Sequence, residues 1–138
     1  MIPISAEQRL LGLQVFVVED ELLVSIMLED MLADFGCIVA GVAATVDQAL
    51  SMVKATDVID AAILDVNIGG EMIFPVADLL LERKVPCVFS TGYGPVDLNA
   101  RYPICRRLNK PYAAEDMATV LADVARDRPH AERPGYNA

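Results

Sequence analysis

Three consecutive carboxylates, Glu19, Asp20 and Glu21, follow the apolar run Val15-Phe16-Val17-Val18. Acidic groups crowded in this way repel one another and invite a cation between them. Oxygen ligands without nitrogen or sulfur partners nearby suit Mg²⁺. A helix start would also explain them, because the macrodipole is positive there and favours acids. The triplet alone does not choose between these readings. Other reactive types close other apolar runs. Asp65 follows Ala61-Ala62-Ile63-Leu64, Ser90 and Thr91 follow Val88-Phe89, and Lys110 follows Leu108-Asn109. Together they suit phosphoryl transfer. Glu19, Asp20 and Asp65 can hold one Mg²⁺ and leave one carboxylate able to attack as a nucleophile. Asp65 is the candidate, since it falls on the central strand and Asn67-Ile68-Gly69-Gly70 after it reads as a flexible loop. Lys110 can meet a phosphoryl oxygen as a point charge. Thr91 can donate a hydrogen bond to another, with Gly92 leaving room beside it. Such an arrangement stabilises charge spread over a transferring phosphoryl group.

These residues can meet only if the runs that carry them end at one edge. Apolar runs at 13–18, 37–42, 61–66, 85–90 and 104–108 read as strands. They lack polar alternation, so each should be buried on both faces in a parallel sheet covered by helices. Helical spacing links them. Val24, Met27, Leu28, Met31 and Phe35 define a helix over 21–35 that Gly36 stops. Thr45 and Gln48 form a capping box before the next helix. A third helix spans 71–84 with Pro75 in its first turns, where proline is tolerated. A last helix spans 113–126. The stretch 95–101 supports at best a short, weak helix, because Pro95, Asn99 and Pro103 discourage one. Five such units make a doubly wound α/β sheet, whose ligands gather at the carboxyl ends of the strands. Glu19, Asp20, Asp65, Ser90, Thr91 and Lys110 all lie at those ends.

The 138 residues suffice for one domain with a real core. We divide them into a prelude over 1–12, the domain over 13–127 and a Pro-, Gly- and charge-rich tail over 128–138. A formal net charge of −9 argues against a nucleic-acid surface and against anionic membranes. Cys37, Cys87 and Cys105 form no CxxC pair and read as small buried hydrophobes in a reducing compartment. Neither a basic-then-apolar leader nor an apolar run of about 20 residues is present. These features predict a cytoplasmic location.

The chain resembles the receiver domains of two-component response regulators over residues 13–127. Val17-Val18-Glu19-Asp20-Glu21, Ile63-Leu64-Asp65, Ser90-Thr91-Gly92 and Lys110-Pro111-Tyr112 carry the resemblance, in the family's order and on the expected strands. Phe89-Ser90-Thr91-Gly92-Tyr93 is also similar to the FATGUY subgroup, with Ser90 in place of its alanine. The resemblance implies a flavodoxin-like fold. It implies that Asp65 accepts a phosphoryl group from a phosphohistidine on a sensor kinase. Asp20 would bind Mg²⁺ directly and Glu19 directly or through water, with the backbone carbonyl of Asn67 as a further ligand. Thr91 would be the switch hydroxyl and Lys110 the phosphate-contacting lysine. Asn67 and Tyr93 occupy positions that tune the lifetime of the acyl phosphate in this family.

The chain also departs from the family. Arg107 stands three positions before Lys110, where many receivers carry an aromatic switch, and Gly69 stands where a proline is common. A ring reporting on Thr91 is therefore not expected, and signalling by ordering of a short or mobile fourth helix is. Residues after 127 are too few for an output domain, so the expected output is protein contact or phosphate relay to a second protein. His130, in the tail, reads as solvated. Arg101, Arg106, Arg107 and Lys110 form a basic cluster that is either a solvated edge or part of an output face. Two alternatives stay open. A pseudo-receiver would keep the fold without phosphorylation. A phosphohydrolase of the haloacid dehalogenase type would need a second Asp where Asn67 stands.

Overall fold

Apolar side chains at a two-residue period build the sheet, and each parity feeds a different core. The computed structural model describes residues 6–92, 102–103 and 105–126. In chain order the elements are α1 (Ala6–Leu10), β1 (Gln14–Val18), α2 (Leu22–Asp34), β2 (Ile38–Ala43), α3 (Val46–Ala55), β3 (Ala61–Asp65), β4 (Asn67–Ile68), β5 (Glu71–Met72), α4 (Phe74–Glu82), β6 (Cys87–Thr91), β7 (Arg106–Asn109) and α5 (Ala114–Arg126). The main sheet is parallel, in the order β2-β1-β3-β6-β7. This is the doubly wound, flavodoxin-like arrangement, with its switch point between β1 and β3. Phe16, Val18, Leu64 and Phe89 pack on one side with Val76 and Leu80 of α4 and Val53 of α3. Val15, Val17, Ile63 and Val88 pack on the other with Leu28 and Leu32 of α2 and Met117 and Leu121 of α5. Burial on both faces explains why the strands read as continuous apolar runs.

Local chemistry sets the helix ends. The Gln48 amide donates to Thr45 Oγ1 at 3.0 Å, and the Ala44 amide donates to Gln48 Oε1 at 2.8 Å. The predicted cap thus holds the start of α3, its second bond reaching one residue further back than in the usual box. Pro75 lies in the first turn of α4, as expected.

Two segments differ from the sequence reading. The helix predicted over 71–84 starts at Phe74, because Glu71–Met72 pairs antiparallel with Asn67–Ile68. Gly69 and Gly70 turn that hairpin at φ of 58° and 87°, values that favour glycine. The loop read as flexible is therefore an ordered hairpin. Helix α1 forms where only a prelude was expected. Leu10 is buried, Cys37 Sγ donates to its carbonyl, and the Gly12 amide donates to the Gly36 carbonyl. Helix α1 also packs against α5. The expected short fourth helix over 95–101 and the tail over 128–138, with His130, lie outside the described residues. Among the described residues, no helix is long and apolar enough to cross a membrane.

Candidate functional site

Strand register brings the reactive residues to one edge. Val18 pairs with Leu64, Asp65 with Ser90, and Thr91 with Asn109. Glu19 extends the ladder past β1, its amide donating to the Ala43 carbonyl at 3.0 Å. Glu19, Asp65 and Lys110 therefore arrive together. The Lys110 ammonium donates to Glu19 Oε1 at 2.8 Å and to Asp65 Oδ2 at 3.0 Å. The lysine backbone is held as well, its amide donating to the Thr91 carbonyl at 2.8 Å.

Burial sharpens the electrostatics. Glu19 is 3% exposed and Asp65 8%. Burial raises the Glu19 pKa, with the charge of Asp65 adding to it, while hydrogen bonds from Lys110 and the Glu21 amide pull the other way. Burial would lower the Lys110 pKa. Its hydrogen bonds to Glu19 and Asp65, with their charges, outweigh that and raise it. The lysine is thus a fixed cation, and it offsets the desolvation of two carboxylates.

The rest of the acidic group is tied to backbone. Asp20 Oδ2 accepts from the Gly69 amide at 2.8 Å, which fastens the β4–β5 hairpin to the site. Asp65 Oδ1 accepts from the Asn67 amide at 3.2 Å, and Asn67 Oδ1 accepts from the Gly70 amide at 3.0 Å. Glu21 is the N-cap residue of α2 and makes no side-chain cap bond. Its carboxylate instead joins those of Glu19 and Asp20, with oxygens within 4.8 Å of one another. Hard oxygen is the donor type Mg²⁺ takes, and the expected ligands Glu19, Asp20, Asp65 and the Asn67 carbonyl offer only that, so their donor chemistry fits the ion.

Sequence reasoning placed Glu19, Asp20, Asp65, Thr91 and Lys110 on one edge, and the structure brings them there. Thr91 is buried at the end of β6. Tyr93 lies outside the described residues. A Cβ added to Gly92 would sit 3.8 Å from the Lys110 side chain, an ordinary contact, so space alone does not require glycine there. Arg107 is exposed on β7 and Arg106 beside it, while Lys110 of the same basic cluster turns into the site. The three cysteines are free. Burial pushes the Cys37 thiol up to about 12 and raises Cys87 and Cys105 too, which makes them poor nucleophiles.

One feature escaped the sequence reading. The hydroxyls of Ser90 and Tyr112 are both cut off from solvent and meet no partner at hydrogen-bond geometry. Burial raises the Tyr112 pKa, and the neighbouring Ser90 hydroxyl and the Lys110 charge work against that rise. The available signal was the exchange of the signature's alanine for serine together with a tyrosine after Lys110-Pro111.

A flavodoxin-like sheet with a buried carboxylate–lysine cluster at its switch point defines the class. Among solved structures, SdrG from Sphingomonas melonis Fr1 is 40% identical, over 87% of this chain and 98% of that one, with a TM-score of 0.72. A BeF3-activated conformation of SdrG from Pseudomonas melonis Fr1 is 39% identical, over 81% and 95%, with a TM-score of 0.69. A response regulator receiver protein from Sinorhizobium medicae WSM419 shares the fold at 21% identity, over 84% and 96%, with a TM-score of 0.76. No protein-family model and no curated protein matches the chain. The chain belongs to the response regulator receiver domains.

Proposed function

We propose that this receiver domain accepts a phosphoryl group on Asp65 from a phosphohistidine of a sensor kinase and signals through protein contacts or onward phosphate relay. The observation that carries the reading is the bridge from Lys110 to Asp65 and Glu19 at the carboxyl edge of the sheet. A carboxylate oxygen of Asp65 bonds to phosphorus as the donor's phosphorus–nitrogen bond breaks, and the electron pair stays on the imidazole. Lys110 already holds an Asp65 oxygen, so it needs only a short shift to follow the new charge onto the phosphoryl group. Thr91, whose carbonyl anchors the Lys110 backbone, supplies the second phosphoryl contact in this reading. Glu19, Asp20, Asp65 and the Asn67 carbonyl would hold Mg²⁺, which when bound offsets charge on the phosphoryl group. Asn67 and Tyr93 would set how long the acyl phosphate lasts. The BeF3-activated conformation described for SdrG supports the reading by likeness.

Incubation with Mg²⁺ and acetyl phosphate tests it. Wild type gains one acid-labile phosphoryl group per chain, and Asp65→Asn gains none. No gain on wild type identifies a pseudo-receiver instead. Repeated turnover of phosphoesters identifies a phosphohydrolase.

A further inference from the structure

Asp20 stands exposed beside Glu19 and Glu21, with carboxylate oxygens of the three within 4.8 Å of one another. Repulsion between like charges would drive its side chain away from them. Lys110 holds Glu19 in place. Among the described residues no cation bridges Asp20, and the bond that holds it comes from the Gly69 amide at 2.8 Å. A built turn presents that donor. Gly69 and Gly70 have φ of 58° and 87°, the two positive values that a type I′ turn requires. Ile68 pairs with Glu71 and Asn67 with Met72 on either side of it. Asn67 braces the turn from within. Its side-chain oxygen accepts from the Gly70 amide at 3.0 Å, and its own amide donates to Asp65 Oδ1 at 3.2 Å. The Ile73 amide closes the base on the Val66 carbonyl at 2.9 Å. Bonds thus run from Asp65 through Asn67 and the turn to Asp20. An ionised carboxylate has about four acceptor sites. One N–H bond therefore orients Asp20 and leaves it able to take a cation.

We infer that the β4–β5 hairpin positions Asp20 for the cation, with the Gly69 amide as the positioning group and the Asn67 side chain as the brace that aims it. The inference rests on the function proposed above through its Mg²⁺ ligands alone. Neither glycine of the turn touches the reacting atoms, and both act through Asp20. Without the turn, Asp20 would sample rotamers away from Glu19 and Glu21, and binding would have to order it against their charge. Held by the amide, it is ordered before the cation arrives. Linkage makes the effect reciprocal, so a hairpin that improves cation binding must itself be stabilised by the cation. This role of the Asn67 side chain is separate from any effect on the lifetime of the acyl phosphate.

Mg²⁺ titration of ¹⁵N-labelled protein, followed by NMR with no phosphodonor present, tests this. Gly70→Val denies the turn its left-handed residue, and Asn67→Ala removes the brace while keeping the backbone carbonyl. Each should weaken Mg²⁺ binding by about tenfold or more, the usual scale for losing a group that orients a metal ligand. Gly70→Asn, which tolerates the left-handed region, should bind within about threefold of wild type. The bond itself is read at the Gly69 amide. Without metal, Asp20→Ala should speed its hydrogen exchange by about threefold or more. In wild type, saturating Mg²⁺ should slow it. Thermal unfolding shows which variants keep the fold, and Asn67→Ala carries the test if Gly70→Val does not fold. Unchanged Mg²⁺ affinity in the folded turn variants would leave the hairpin a structural loop only and overturn the inference. Faster Gly69 exchange with Mg²⁺ overturns it too, since Asp20 would then have left the amide for the ion. A wild type that binds no Mg²⁺ removes both this role and the Mg²⁺ part of the proposed function. One that binds Mg²⁺ yet gains no phosphoryl group from acetyl phosphate sinks the receiver function, and the binding data still decide the role of the hairpin.

Discussion

Lys110 is the residue on which the site's electrostatics turn. Its ammonium is shared by Glu19 and Asp65 at 2.8 and 3.0 Å, and both carboxylates are largely withdrawn from water. Lys110→Met keeps much of the apolar stem and removes the charge. We expect it to destabilise the fold by about 2 kcal/mol, below the full penalty for a broken buried ion pair, because the lysine side chain is partly exposed. Urea unfolding of the two proteins measures the difference. Its pH dependence has a definite sign. The folded pKa of Lys110 is raised above its unfolded value, which is about 10.4. The contribution is therefore complete below that pH and fades as pH rises through the raised value. The stability gap between wild type and Lys110→Met should stay level near neutrality and narrow above about pH 10.4. A gap that widens there would show that the lysine is not held by the carboxylates.

The β4–β5 hairpin is the element that sequence reasoning mistook, and it now ties a candidate metal ligand to the chain. Its turn needs two left-handed residues, and the Gly69 amide it presents holds Asp20. A Cβ at Gly70 would meet no atom within 4 Å, so any cost of substitution there is backbone strain rather than collision. Gly70→Val should cost about 1–2 kcal/mol, and Gly70→Asn clearly less, because asparagine tolerates the left-handed region. Equal costs in denaturant unfolding would mean that the turn is not kept. The error has a physical origin. Asn67-Ile68-Gly69-Gly70-Glu71-Met72 contains turn signals but only two residues of strand on each side, too few for a period to be seen. The main strands were legible because burial on both faces leaves runs such as Ala61–Asp65 wholly apolar until Asp65. Thr45 and Gln48 were legible because capping acts over three residues. The convergence of Glu19, Asp65 and Lys110 followed from the parallel topology. The sealed hydroxyls of Ser90 and Tyr112 did not, because their burial depends on side-chain packing.

At the scale of the molecule, a helix forms in the segment read as a prelude and packs against α5. Helix α1 has five residues, too short to be stable alone. It exists because Leu10 completes the core formed by Val15, Val17, Leu32 and Met117. Backbone ties at Gly12–Gly36 and Ile38–Leu13 then join the segment after it to the end of α2 and the start of β2. The same core underlies the face of the sheet that carries Asp65 and Ser90, so loosening it should reach the site as well as the fold. Leu10→Ala should therefore cost about 2–4 kcal/mol, the range for a large side chain removed from a packed interior. Leu11→Ala is the control, since Leu11 is 56% exposed, and we expect a change within about 1 kcal/mol. Unfolding midpoints of the two variants decide the matter. If both changes are equally small, α1 is an appendage and the core closes without it. A large loss confined to Leu10 makes α1 a structural part of the domain, in which case a chain begun at residue 13 should be markedly less stable than the whole.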